Sequence, residues 1–297
     1  MNRVCPICNC NLKDVRYVKY GNHINSKKKF ILEVVYVLIF FFLPKSFFNK
    51  YKIPRRITKS IWFGSKIILC RKCGSGHIDK IPSSNELNMW YNTSAGAVLF
   101  YKDRLRKITE RDESQYKYVR KFVKLGCIDK SLEFGAGEAG LSRKLCLNHP
   151  KILTETVDIS EKSNEQLRNH SCIDNVEKSI VVGKKYDLIV CSHVLHMVND
   201  MPSIFGQLVR ALTKGGYMFI EIPNCNDLYL DLDFEDYSFN YFLQKSSILE
   251  LIKFYGLELI DVQYLGITWH EVLNGVKQTN MYSTSSNASL IRFLIKK

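Results

Sequence analysis

Between Ser131 and Gly140 the chain reads SLEFGAGEAG, a short apolar strand that ends beside a carboxylate and turns through glycines. Gly135, Gly137 and Gly140 follow a G-x-G-x-x-G spacing. Missing side chains there let the backbone close on a ligand, and the first glycine frees a sharp turn. The next apolar segment ends on Thr156-Val157-Asp158, placing a carboxylate 18 positions after Gly140, where it is able to accept hydrogen bonds from ribose hydroxyls. The glycines and Asp158 are compatible with either NAD or S-adenosylmethionine. Glu133 favours the second, whose methionyl ammonium is a cation and which has no pyrophosphate to repel a carboxylate.

A second group of residues has metal-ligand spacing. Cys5 and Cys8, then Cys70 and Cys73, form two C-x-x-C pairs, each beside Pro or Gly. Each pair can sit on a tight turn that aims both thiolates at one ion, and two such turns complete a tetrahedral S₄ zinc site. Cys10 and His77 stand close enough in sequence to substitute for a ligand. A closed four-ligand site is structural, with no open position for catalysis.

The glycine stretch and Asp158 are followed by KYDLIVCSHVLH at residues 185–196 and LTKGGYMFIEIPN at 212–224. With these four ordered motifs the chain resembles the class I S-adenosylmethionine-dependent methyltransferases, over roughly residues 116–297. The resemblance implies an α/β, Rossmann-like seven-stranded sheet with helices on both faces and a final antiparallel hairpin. It makes Glu133, Gly135, Gly137, Gly140, Asp158 and Ser192 the cofactor-binding residues. In that fold the loop after the fourth strand borders the transferred methyl, so His193 and His196 are the candidate catalytic bases, histidine being the side chain that titrates near neutral pH. The segment after the fifth strand commonly covers the acceptor in similar enzymes; here it carries Asp227, Asp231, Asp233, Glu235 and Asp236. Methyltransferases of sugar and cell-surface glycan pathways often carry a similar N-terminal zinc module, which implies a sugar or lipid-linked glycan substrate.

The elements that must position these groups divide the chain in three. Residues 1–80 form a small zinc-ribbon-like module with an insertion at about 24–66, residues 81–125 a helical connector, and residues 126–297 the catalytic part. Strands are expected near 131–134, 153–157, 179–183, 186–191 and 216–222, then at 257–265 and 289–295. Helices are expected near 139–148, 161–170, 202–213 and 246–255, an alternation that gives a parallel sheet. Tyr91 and Tyr101 are placed to act as a lid or as ordinary packing.

The net charge of +14 is unevenly placed: residues 1–80 hold 17 Lys/Arg against 3 Asp/Glu, whereas the rest holds 26 of each. Within the insertion, the run Phe30–Leu43 is 14 residues long, includes Glu33 and has basic flanks. That is short of the roughly 20 residues a span needs, and fits a segment that dips into an anionic membrane surface and returns at Pro44. Packing on protein is the other reading. No apolar run follows Met1, and the cysteines are paired for metal, so a reducing cytoplasm, with attachment at the membrane face, is the expected compartment. Two rivals remain open: an RNA methyltransferase gripping phosphates with the basic module, although the neutral catalytic part disfavours nucleic acid, and a non-catalytic cofactor-binding scaffold subunit.

Overall fold

The computed structural model describes residues 4–11, 15–19, 66–92, 107–226, 229, 239–274, 276 and 282–297. The insertion at 27–63, Tyr101 and the five carboxylates between 227 and 236 lie outside the described residues. Among the described residues, no helix is long and apolar enough to cross a membrane.

The chain opens with β1 (Val15–Lys19), β2 (Lys66–Cys70) and β3 (Gly76–Ile78), followed by helices α1 (Ser84–Asn92) and α2 (Glu110–Phe122). The alternating part runs β4 (Lys130–Phe134), α3 (Gly140–Asn148), β5 (Leu153–Val157), α4 (Glu161–Arg168), β6 (Asn175–Glu177), β7 (Tyr186–Ser192), α5 (Met201–Ala211) and β8 (Leu212–Pro223). It closes with β9 (Tyr241–Phe242), α6 (Lys245–Phe254), β10 (Glu258–Thr268), α7 (Trp269–Leu273), β11 (Tyr282–Ser283) and β12 (Ala288–Lys296).

The large sheet has the order β11-β10-β12-β8-β7-β4-β5-β6. Strands β6, β5, β4, β7 and β8 are parallel, while β12 pairs antiparallel with both β8 and β10. Side-chain alternation along β7 shows why both faces need cover. Leu188 and Val190 pack with Val119 of α2 and with Leu141 and Leu145 of α3. Ile189 and Cys191 point the other way, toward Phe205 and Leu208 of α5 and Ile248 of α6. The helices begin where local chemistry provides caps. Thr109 and Asp112 form a capping box on α2, Ser160 caps α4, and Asp200 caps α5 ahead of Pro202.

Two expectations need correction. The sheet has eight strands among the described residues, not seven. The additional strand, β11, is a two-residue edge pairing Leu265↔Tyr282 and Tyr264↔Ser283, too short to carry a period-2 signal. The strand expected at 179–183 lies instead at Asn175–Glu177. Val182 is 98% exposed and Gly183 has φ +89°, so the apolar triplet 180–182 belongs to the turn entering β7.

From β4 the chain moves outward through β5 and β6, and it returns on the other side of β4 through β7 and β8. The crevice at the carboxyl ends of β4 and β7 is the topological switch point, where ligands bind in open α/β sheets. A second sheet, β1-β2-β3-β9, joins the N-terminal segment to residues 241–242.

Candidate active site

A cavity of 1010 Å³ opens at the switch point, at the upper end of the size range of small-molecule sites. Its floor is the glycine loop between β4 and α3. Gly135 has φ +65°, and a Cβ there would lie 2.2 Å from a methyl of Val194. Glycine is required on both counts. Gly137 has φ +52°, and among the described residues nothing lies within 4 Å of where its Cβ would stand. Its amide donates to Asp158 Oδ2 at 2.7 Å, and its carbonyl accepts from the Ser163 hydroxyl. Gly140 allows a different approach, since its Cβ would be 2.2 Å from the Asp112 carboxylate. The third glycine therefore lets α2 and α3 meet while lining the same cavity.

Asp158 is 5% exposed, and its Oδ1 accepts the Ser160 amide at 2.8 Å. Asp158 lines the cavity, where its carboxylate oxygens act as acceptors. Glu133 is also buried, accepting the Ser142 amide at 2.9 Å from the first turn of α3. Burial pushes its carboxyl up to about 7, against the lowering effect of the Ser142 hydrogen bonds. Two buried carboxylates that line the cavity around a glycine loop fit a ligand bearing both hydroxyls and a cation.

Ser192 and His193 lie where β7 ends, and His193 takes the left-handed conformation at φ 56°. Its Nε2 lies 3.1 Å from Glu221 Oε1. Glu221 is fully buried and is paired with the buried Arg292, whose Nε donates to its other oxygen. Burial alone would raise the Glu221 carboxyl, but the Arg292 guanidinium and His193 outweigh it and hold the group far below its ordinary range. Gln115 bridges the set, its Nε2 lying 2.7 Å from Glu221 Oε1 and 2.8 Å from Ser192 Oγ. Arg292 Nη1 in turn donates to Ser114 Oγ at 3.0 Å.

His196 sits differently. It is 2% exposed, its ring meets Phe239 edge-on at 4.4 Å, and among the described residues its buried Nδ1 has no hydrogen-bond partner. Burial, and then the neighbouring His193, hold its pKa well below the ordinary value, so the ring is neutral at pH 7. The cavity wall continues through Leu87, Tyr91, Met197, Phe239, Trp269 and Val272. Tyr91 is buried on the wall, with its hydroxyl 3.8 Å from Met197 Sδ.

Where β2 of the small sheet ends on Cys70, the Sγ atoms of Cys5, Cys8, Cys70 and Cys73 all lie within 4.8 Å of one another. Cys5 and Cys73 are 3.7 Å apart, as are Cys8 and Cys70. Four ligands about 2.3 Å from a central zinc stand roughly 3.8 Å apart in a tetrahedron, so the donor set fits that ion. Cys10 adds a fifth sulfur 3.3 Å from Cys70 Sγ, while His77 lies in β3.

The structure brings Glu133, Gly135, Gly137, Gly140, Asp158, Ser192, His193 and His196 to one cavity. Sequence reasoning missed Gln115, Glu221 and Arg292. The signal was present for two of them: Glu221 is an acid between Ile220 and Ile222, Arg292 a base between Ile291 and Phe293, and the two face each other across β8 and β12. Opposite charges inside two apolar strands are an ion-pair signature. Gln115, on a largely polar helix, carried none.

A family model described as a methyltransferase domain matches residues 100–262, more than half of the chain. Among solved structures, the [4+2]-cyclase SpnF superposes with a TM-score of 0.53 at 11% identity, covering 73% of this chain and 96% of that one. An S-adenosylmethionine-dependent methyltransferase from Mesorhizobium loti has a TM-score of 0.48 at 15% identity, covering 62% of this chain and 98% of its own. A SAM-dependent methyltransferase from Archaeoglobus fulgidus has 0.47 at 14% identity, covering 63% and 94%. At these identities the likeness to SpnF speaks for the fold alone. No curated protein matches the chain.

Proposed function

The chain belongs to the methyltransferase domain family and is an S-adenosylmethionine-dependent methyltransferase, and from that premise we propose that its acceptor is a sugar or lipid-linked glycan intermediate. S-adenosylmethionine supplies an activated methyl group for in-line displacement. Asp158 receives ribose hydroxyls, Glu133 faces the methionyl ammonium, and the glycine loop with Ser192 closes around the rest.

The observation that carries the acceptor reading is the mixed lining of the cavity. It holds the carboxylates Asp112, Glu133, Glu138 and Asp158 and the cations Arg111 and Lys178. It also holds Tyr91, Met197, Phe239 and Trp269, which pack in one apolar cluster, a surface on which the apolar face of a sugar ring or a prenyl-like chain rests while water is excluded. A polyphosphate backbone would meet more negative than positive charge there, which supports a glycan over RNA.

His193 is the general base in this reading. Glu221 is ionised and accepts only, so the proton between them belongs to His193 Nε2 and the ring's lone pair is on Nδ1. That nitrogen takes the acceptor hydroxyl proton as the methyl transfers, and Glu221 stabilises the imidazolium. His196, neutral and with its ring packed against His193 and Phe239, is the second candidate histidine of the site. Cys5, Cys8, Cys70 and Cys73 hold one structural zinc, and the basic and apolar insertion at 27–63 docks on anionic membrane at the cytoplasmic face.

Incubation with methyl-labelled S-adenosylmethionine and fractionated lipid, glycan and RNA extracts tests the reading. Label is expected in the glycan or lipid-linked fraction and should fall by at least about 100-fold in His193→Ala. Label confined to RNA, or unchanged transfer by His193→Ala, would overturn the acceptor or the base, respectively.

A further inference from the structure

The cysteine cluster is joined to the cavity through the small sheet. Cys70 and Cys73 lie on the turn from β2 to β3, closed by Cys70 N to Ser75 O at 2.8 Å and Gly74 N to Cys70 O at 2.9 Å. That turn is fastened to the start of α6. Gln244 Nε2 donates to Gly74 O at 2.7 Å, and the Ser246 hydroxyl donates to Cys73 O at 2.7 Å. Beyond the turn, β3 pairs with β9 through Gly76↔Phe242 and His77↔Tyr241, and Ile78 N reaches Asn240 O at 3.0 Å.

β9 and the residue before it then hold the loop that follows β7. The amides of Asn240 and Tyr241 both donate to His196 O, at 2.9 and 3.0 Å. The fully buried Asn240 side chain donates to Met197 O at 2.7 Å and Val198 O at 3.1 Å, and the Tyr241 hydroxyl donates to Asn199 O at 3.1 Å. An unbroken hydrogen-bonded path therefore links the cysteine turn to residues 196–199, which line the cavity with His193 and Phe239. The cofactor side is held by other means, through Asp158, Ser163 and the strand end at Val157.

We propose that the four-cysteine cluster, through the turn that carries Cys70 and Cys73, is a positioning device for the acceptor wall: it clamps β9, and through Asn240 and Tyr241 fixes the loop that carries His193 and His196. The clamp rests on the zinc reading for its rigidity and on the methyltransferase reading for its purpose. Gln244, Ser246 and Asn240 are its positioning residues. A backbone loop with few tertiary bonds opens locally at low free energy, and here its bonds run to an element stiffened by metal ligation rather than to the sheet alone.

The test uses the full chain and the Gln244→Ala/Ser246→Ala double variant, which leaves every cysteine in place. Hydrogen exchange by mass spectrometry, zinc content and calorimetry with S-adenosylhomocysteine are read together. The expected result is unchanged zinc and unchanged S-adenosylhomocysteine affinity, with exchange at 193–199 and 239–242 about tenfold faster or more and the glycine loop 135–140 unaltered. Restoring the amide and the hydroxyl separately, in Ser246→Ala alone and Gln244→Ala alone, should recover part of the protection at 193–199. Removing zinc from the wild type with a chelator should loosen the same segments. Unchanged exchange at 193–199 in the double variant, or equal loosening of 135–140, would overturn the clamp. A wild-type protein without zinc would refute the metal reading alone, because the double variant still reads the clamp directly.

Discussion

Glu133→Gln, measured across pH, asks whether the buried carboxylate at the end of β4 faces the cofactor's cation. Glu133 is 4% exposed, and burial lifts its pKa from 4.5 to about 7. In the unliganded protein this shift opposes folding. The unfolded chain releases its proton near 4.5 and the folded chain near 7, so stability is full below the lower value and falls as pH rises toward the upper one. The loss is on the order of 3 kcal/mol and levels off above pH 7. An ammonium placed against the carboxylate favours the charged form, so a ligand that binds only ionised Glu133 must expel the proton at low pH. The apparent Kd should then tighten by roughly fifteenfold between pH 5.5 and 7, or ~1.6 kcal/mol. Calorimetry in two buffers of different ionisation enthalpy should count close to one proton released per S-adenosylmethionine bound at pH 5.5. Glu133→Gln keeps an acceptor for the Ser142 amide but has no proton to lose, so its affinity should be weaker at pH 7 and should lack the release. The same pH slope and proton count in wild type and variant would refute the assignment.

Two further substitutions test the frame. Gly135→Ala adds a Cβ where Val194 already stands and forces φ +65° on alanine; chemical denaturation should show a loss of roughly 2–4 kcal/mol, and a loss below about 0.5 kcal/mol would mean that the loop is not so held. Glu221→Gln leaves Arg292 charged and buried, which should cost about 3–5 kcal/mol of unfolding free energy, whereas Glu221→Met with Arg292→Met should recover most of it. Equal destabilisation by the single and double variants would show that the pair is held by packing rather than by charge.

Much of this was legible because it was written in backbone requirements. The glycines at 135, 137 and 140 and the carboxylate at 158 mark a strand, a turn and a second strand end, and local chemistry fixes each. The expected bounds of β5 match the observed Leu153–Val157, and those of β4 and β7 differ from the observed strands by a single residue at one end. What escaped notice depends on contacts between distant segments. β6 is a short polar edge strand, Asn-Val-Glu, held by pairing with β5 and by no burial pattern of its own. β9 joins a sheet whose other described strands lie about 160 or more residues earlier, so nothing local announces it. Gln115 touches Ser192 and Glu221 only because α2 packs over β7 and β8. Gly140 was read for its ligand, although its lack of a side chain also accommodates Asp112.

The most direct measurement of the cofactor site is titration of S-adenosylmethionine into wild-type protein and Asp158→Ala at pH 7.5. Asp158 lies beside Gly137, and its carboxylate lines the cavity. Wild type should bind one molecule per chain. The variant, having lost the bonds from a charged acceptor to two ribose hydroxyls, should bind more weakly by roughly 1.5–3 kcal/mol. Equal affinity in the two proteins, with both folded, would place the cofactor elsewhere and contradict the site described for this chain.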